Sequence, residues 1–183
     1  MKCVSLSIED VKIIEPEIIK DSRGSLSIIF SSVDYQMLGI PFKMKQINQS
    51  HSILKNTIHG LHYQENPYSQ AKLISCSRGS FYSVAVDLRE NSKTFGAWCG
   101  EYISSKNQRI MYLPKGFAHG YVSLEDDTLL QYCVDEAYNK NAAKVIRFDD
   151  PHLNIIWPVK KNDIIISEKD INGLSFDCLK NEK

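Results

Sequence analysis

Three of the five histidines sit in apolar surroundings: His59 and His62 in Ile58-His59-Gly60-Leu61-His62-Tyr63-Gln64, and His119 in Pro114-Lys115-Gly116-Phe117-Ala118-His119-Gly120. Taken alone, each reads as a core histidine with satisfied hydrogen bonds. His62 changes meaning beside Lys72, Tyr132 and Asp170. Together these four supply the parts for taking a proton from a carbon next to a carbonyl: an imidazole that titrates near neutral pH, an ammonium, a phenol and a carboxylate. Loss of such a proton leaves an enolate, whose energy a nearby ammonium lowers.

The same histidines could suggest a metal. A strand presents alternate side chains on one face, so a strand-borne site needs H-x-H. The spacing here is H-x-x-H, which points His59 and His62 to opposite faces unless a bulge intervenes, and His119 has no matching pair to join. No metal is expected.

The elements that must position these groups are strands. Turn signals recur at short intervals, at Asp21-Ser22-Arg23-Gly24, Gly39, Arg78-Gly79, Glu90-Asn91, Lys115-Gly116, Glu125-Asp126-Asp127 and Asn139-Lys140-Asn141. Between them lie runs rich in β-branched and aromatic residues: Phe81 to Asp87 most clearly, then Gln108 to Leu113, Tyr121 to Leu124 and Leu129 to Cys133. Short helices are expected near Asp34–Leu38 and after Ser167. Many short strands at this spacing predict an all-β sandwich or closed barrel.

The chain has 183 residues, enough for one domain, and its 22 basic and 22 acidic residues leave no net charge. The basic footprint of a nucleic-acid binder is missing. No apolar run reaches the roughly 20 residues that span a bilayer, and Met1 to Asp10 lacks a signal-peptide layout. Cys3, Cys76, Cys99, Cys133 and Cys178 form no C-x-x-C pair and read as reduced thiols. A cytoplasmic protein with neither nucleic-acid nor membrane partners is the expectation. Tyr63, Trp98, Phe117 and Trp157 read as core or pocket wall, and Arg78, Arg89, Arg109 and Arg147 as surface or strand-edge charges.

Over nearly its whole length the chain resembles the dTDP-4-dehydrorhamnose 3,5-epimerase family. The matching segments include Asp21-Ser22-Arg23-Gly24, Gln46 to Ser50, Gly60 to Gln64, Gln70 to Leu73, Val86 to Arg89, Thr94-Phe95-Gly96, Leu113 to Gly120, Tyr132 to Tyr138, Asp149-Asp150-Pro151, Trp157-Pro158 and Ser167 to Asp170, in the family's order and spacing. The resemblance implies a cupin-type antiparallel β-barrel (jelly roll) with a few short helices. It also implies a homodimer whose N-terminal strand is exchanged between subunits. The implied reaction inverts C3 and C5 of a nucleoside-diphosphate 4-keto-6-deoxyhexose, with no cofactor required. His62 would be the base, oriented by Asp170; Tyr132 the acid on the opposite sugar face; Lys72 the group near the C4 oxygen, with His119 close by. Arg23 from a neighbouring subunit would meet the pyrophosphate, Gln46 and Asn48 would line the nucleotide side, and Tyr138 would stack on the base.

Two positions depart from the family pattern. His59 stands where an arginine is usual, and Ile28 where a glutamate is usual, both on the substrate side. An imidazole makes a weaker phosphate contact than a fixed cation. These departures leave room for a mono-epimerase or for a different nucleotide. A non-catalytic cupin would have no use for the base and acid.

Overall fold

A computed structural model describes residues 1–181. The chain runs through β1 (Lys2–Ser5), β2 (Lys12–Glu15), β3 (Ile18–Asp21) and β4 (Gly24–Ser27), then the helix α1 (Ser32–Met37). Next come β5 (Gln46–Ser52), β6 (Thr57–Gln64), β7 (Lys72–Arg78), β8 (Ser80–Asp87) and β9 (Trp98–Ser104). They are followed by β10 (Ile110–Leu113), β11 (Phe117–Ser123), β12 (Thr128–Val134) and β13 (Ala143–Val145). A short β14 (Ile165–Ile166) and the helices α2 (Glu168–Ile171) and α3 (Cys178–Asn181) complete it.

Two antiparallel sheets pack face to face. One has the order β1-β2-β10-β7-β12-β5; the other has the order β13-β6-β11-β8-β9, with β14 beside β6. The core between them draws Ile74, Met111, Leu113 and Leu130 from the first sheet and Phe81, Ala85, Ile103 and Phe117 from the second. This is the all-β cupin-type barrel expected from the sequence. Both sheets are also covered outside. Phe42, Tyr35 and Ile40 pack on the first, and Ile146, Leu153 and Phe176 on the second. Strand β8 therefore has two buried faces: Phe81 and Ala85 look into the barrel, while Val84 and Val86 look out to the C-terminal segment. A strand covered on both sides reads as a nearly continuous apolar run, which is why it was the clearest strand in the sequence.

Both expected helices form. Ser31 caps α1 and Ser167 caps α2, each hydroxyl accepting from the backbone N–H three residues on. Strand β11 starts at Phe117, earlier than the Tyr121 expected from the sequence, so His119 lies on a strand. Arg89 is not a surface charge. Its guanidinium donates to the fully buried Asp87 at 2.8 and 2.9 Å, and Ser92 and Thr94 donate to the same carboxylate. Residues 1–30 form β1, β2 and the separate hairpin β3–β4, which pairs with neither sheet among the described residues.

Candidate active site

The walls of the site follow from register. In an antiparallel ladder, directly opposed residues point the same way. On the first sheet Tyr132 is opposite both Ile74 and Asn48, and Val134 is opposite both Lys72 and Gln46. Ile74 belongs to the core between the sheets and Tyr132 packs against it, and residues two apart on a strand share a face, so Tyr132, Asn48, Lys72 and Gln46 share the inward side. On the second sheet His119 faces His62, and Tyr121 faces His59. Between those pairs β6 spends three residues where β11 spends two, a β-bulge. The bulge reverses the alternation, so His59 and His62 line one cavity despite their H-x-x-H spacing.

Gly60 makes this packing possible. Its φ is +109°, and a Cβ there would lie 2.6 Å from the carbonyl oxygen of His119. A side chain would push β6 off β11 and spoil the bulge.

The cavity has a volume of about 220 Å³. Around it stand His59, His62, His119, Lys72, Tyr132 and Tyr138, all six singled out in the sequence. The residues expected to act as base and acid are split between the sheets, with His62 on β6 and Tyr132 on β12. His62 is 2.8 Å from Asp170, whose second oxygen accepts the Gly60 N–H at 3.1 Å. Burial alone would push the Asp170 carboxyl up, but the His62 hydrogen bond and charge, with the Gly60 N–H, outweigh it and hold it below the usual carboxylate range. Asp170 stays ionised and fixes the orientation of the imidazole. The other ring nitrogen of His62 is left for the pocket.

Lys72 is buried and reaches across to the second sheet, where its ammonium donates to the His62 carbonyl at 3.2 Å. Burial pulls its pKa down to about 8, so it remains largely charged at pH 7. Burial raises the Tyr132 phenol, which keeps its proton at neutral pH. His119 is pushed well below its ordinary value by burial and by Lys72, His62 and His59, and as a neutral ring it bonds the Ser83 hydroxyl at 2.9 Å. Burial likewise lowers His59, whose ring stacks on Tyr121 at 4.8 Å and lies 3.3 Å from the Ser52 hydroxyl. His59 is therefore a neutral ring, not a substitute for a fixed cation.

Gln46 holds the rim: its carbonyl oxygen accepts the Tyr138 N–H at 3.2 Å and its amide donates to Asn48. Gln46 and Asn48 are tied to Tyr138 without lining the cavity, and Arg23 does not reach it. Arg23 sits at the tip of the β3–β4 hairpin, almost fully exposed and paired with Asp21 at 2.7 Å, away from this cavity. Ile28 lies just beyond that hairpin and is also exposed. Among the described residues, no group of three or more His, Cys, Asp or Glu side chains is placed to hold a metal ion.

Sequence reasoning missed Ser50, Ser52, Tyr121, Gln64, Gln70, Lys144 and Lys169 at or beside the cavity. Ser50 and Ser52 were within reach, because Gln46, Asn48, Ser50 and Ser52 alternate along β5 and share a face. Tyr121 was hidden by the bulge, and Gln64 and Gln70 look like ordinary polar residues at strand ends.

The family model for dTDP-4-dehydrorhamnose 3,5-epimerase matches residues 5–177. The chain is 39% identical over 177 residues to the dTDP-4-dehydrorhamnose 3,5-epimerase of Shigella flexneri, covering 96% of each chain. Its fold matches the crystal structure of the Elizabethkingia anophelis dTDP-4-dehydrorhamnose 3,5-epimerase with a TM-score of 0.93 at 39% identity, covering 97% of both chains. It also matches the Legionella pneumophila dTDP-6-deoxy-D-glucose-3,5-epimerase, solved in complex with dTDP-4-keto-L-rhamnose, with a TM-score of 0.91 at 36% identity, covering 100% of this chain and 94% of that one.

Proposed function

The chain belongs to the dTDP-4-dehydrorhamnose 3,5-epimerase family, and we propose that His62 and Tyr132 are the base and acid with which it works. It is an isomerase that inverts C3 and C5 of dTDP-4-dehydro-6-deoxyglucose to give dTDP-4-dehydrorhamnose. The observation that carries the residue assignment is the placement of His62, held by Asp170 of α2, on one sheet and Tyr132 on the other, with the Lys72 ammonium reaching across to the His62 carbonyl.

A ring held between the walls presents one face to each. His62 takes the proton from the carbon next to the C4 ketone, and the C–H electrons move onto the C4 oxygen as an enolate. Lys72 stabilises that oxygen as charge develops. Tyr132 delivers a proton to the same carbon from the other face while the electrons return from oxygen, so the centre is inverted. Asp170 steadies the imidazolium formed on the way. The step repeats at the second carbon flanking the ketone, and proton exchange with water resets both groups.

Removing the Tyr132 hydroxyl separates the two halves of this sequence. With Tyr132→Phe the base still works, so exchange of the C3 and C5 protons with solvent should survive in part while the inverted sugar falls by about 10²–10⁴-fold. Proton NMR in heavy water reads both quantities in one sample. Inverted product at the wild-type rate would assign the acid to another residue.

Tyr138, exposed at the rim, is positioned to stack on the nucleotide base, with Gln46 and Asn48 beside it. Arg23 reaches a pyrophosphate if the β3–β4 hairpin crosses to a partner subunit in a homodimer. The exposed Ile19, Leu26 and Ile28 give that hairpin an apolar surface to bury, and among the described residues it forms no ladder with either sheet of its own chain. Two inactive variants then complement each other. Mixed dimers of Arg23→Ala and His62→Ala contain one site with both an intact base and an intact arginine, so activity should return on mixing and exchange. No recovery in verified mixed dimers would place Arg23 in its own subunit's site. The free cysteines and the soluble sugar-nucleotide substrate fit a cytoplasmic enzyme.

A further inference from the structure

Between β12 and β13 the chain runs from Asp135 to Ala142 without regular structure, and this segment carries Tyr138. Side chains from three separate places hold its backbone. Gln70 donates to the Glu136 carbonyl at 2.8 Å, Gln46 accepts the Tyr138 N–H at 3.2 Å, and Gln64 spans Tyr138 from both sides. The Gln64 amide donates to the Ala137 carbonyl at 3.2 Å and to the Tyr68 carbonyl at 2.7 Å, and its oxygen accepts the Asn139 N–H at 2.7 Å. These bonds fix the amide's orientation, since a flipped amide would set its oxygen against two carbonyls. Gln64 is only 6% exposed, so each of these bonds would be missed if lost.

We propose that Gln64 is a positioning residue for nucleotide binding, setting Tyr138 at the height where it meets the base. The inference rests on the sugar-nucleotide reading above. Its logic is registration. Gln64 and His62 are two residues apart on β6 and both line the cavity, roughly 7 Å along the strand. The loop that meets the nucleotide is thereby indexed to the strand that carries the base. A substrate clamped at its nucleotide end then presents its sugar at the right depth for His62. Gln64 touches no reacting atom and acts through Tyr138.

The test uses the whole protein with dTDP as probe, measured by calorimetry, alongside steady-state kinetics. Gln64→Met keeps the side-chain length and removes all three hydrogen bonds. The Kd for dTDP and the KM for dTDP-4-dehydro-6-deoxyglucose should each rise about tenfold, the scale of losing a base–aromatic stack, while kcat stays within about threefold. In a Tyr138→Ala background the same substitution should add little further loss, because the two residues act as one unit. A folded Gln64→Met protein with wild-type affinity would overturn the proposal, as would a full, additive loss in the Tyr138→Ala background. Should Gln64→Met fail to fold, Gln64→Asn, which keeps the amide but withdraws it by one methylene, carries the same comparison. Absence of dTDP binding by the wild-type protein would instead overturn the nucleotide reading itself, and this inference with it.

Discussion

Replacing His62 with alanine should abolish deuterium uptake at both C3 and C5, with a fall in rate of about 10²–10⁴-fold. Both exchange events begin at the same nitrogen, so both carbons should be silenced together. The substitution also removes a structural partner. Asp170 is 3% exposed and would keep only the Gly60 N–H, leaving a buried charge poorly compensated. A second variant separates these effects. His62→Asn retains a donor toward Asp170 but offers no base, and it should be as inactive as His62→Ala while unfolding closer to wild type. Circular dichroism on both proteins checks the fold, and NMR in heavy water checks exchange. Near-normal exchange in either folded variant would remove His62 from the mechanism.

Lys72→Met should make the protein a worse enzyme and a more stable one. Enolate stabilisation serves both carbons, so every exchange event should slow by about 10²–10³-fold. The stability gain follows from burial. A pKa of about 8, against an ordinary 10.5, means the fold bears an unfavourable buried ammonium at neutral pH. That difference corresponds to about 3 kcal/mol, and losing the hydrogen bond to the His62 carbonyl returns about 1 kcal/mol. A net gain of about 2 kcal/mol is expected at pH 7, a rise of roughly 4–8 °C in Tm. The pH dependence has a definite sign. Between about 8 and 10.5 the unfolded chain holds a proton on Lys72 that the folded chain has released, so wild-type stability climbs across that window. The advantage of Lys72→Met is therefore full below about pH 8 and fades as pH rises toward 10.5. Urea unfolding at several pH values measures it, and a destabilised Lys72→Met protein at pH 7 would contradict it.

Much of this site was legible because its chemistry needs rare residue types in defined places. His62, Lys72, Tyr132 and Asp170 are scattered over more than a hundred positions, yet their types already named the reaction class. The strand Ser80–Asp87 was legible for the opposite reason: both its faces are buried, so its composition alone marks it. What escaped reading depended on three-dimensional accidents of register. Strict alternation sends His59 and His62 to opposite faces, and only the extra residue of β6 against β11 brings them together. No local pattern marks that bulge except Gly60, whose role becomes visible once His119 is known to lie against it. Arg89 was misread because its partner, the buried Asp87, is only two residues away and looks like one half of an ordinary surface pair. Gln64 escaped because its function lies in the backbone atoms it bonds, which no sequence displays.

The departure at His59 bears on affinity more than on chemistry. Its ring is held by Tyr121 and Ser52 and kept neutral by burial, so any bond it offers a diphosphate lacks the paired, charged character of an arginine contact. It leaves unchanged the His62, Lys72, Tyr132 and Asp170 arrangement that we propose performs the inversion.

The most direct test of double epimerisation is to incubate the wild-type protein with dTDP-4-dehydro-6-deoxyglucose in heavy water and read the sugar by proton NMR. Deuterium at both C3 and C5, with couplings that report inversion at each, is the predicted result. Deuterium confined to one carbon, or to neither, would contradict it.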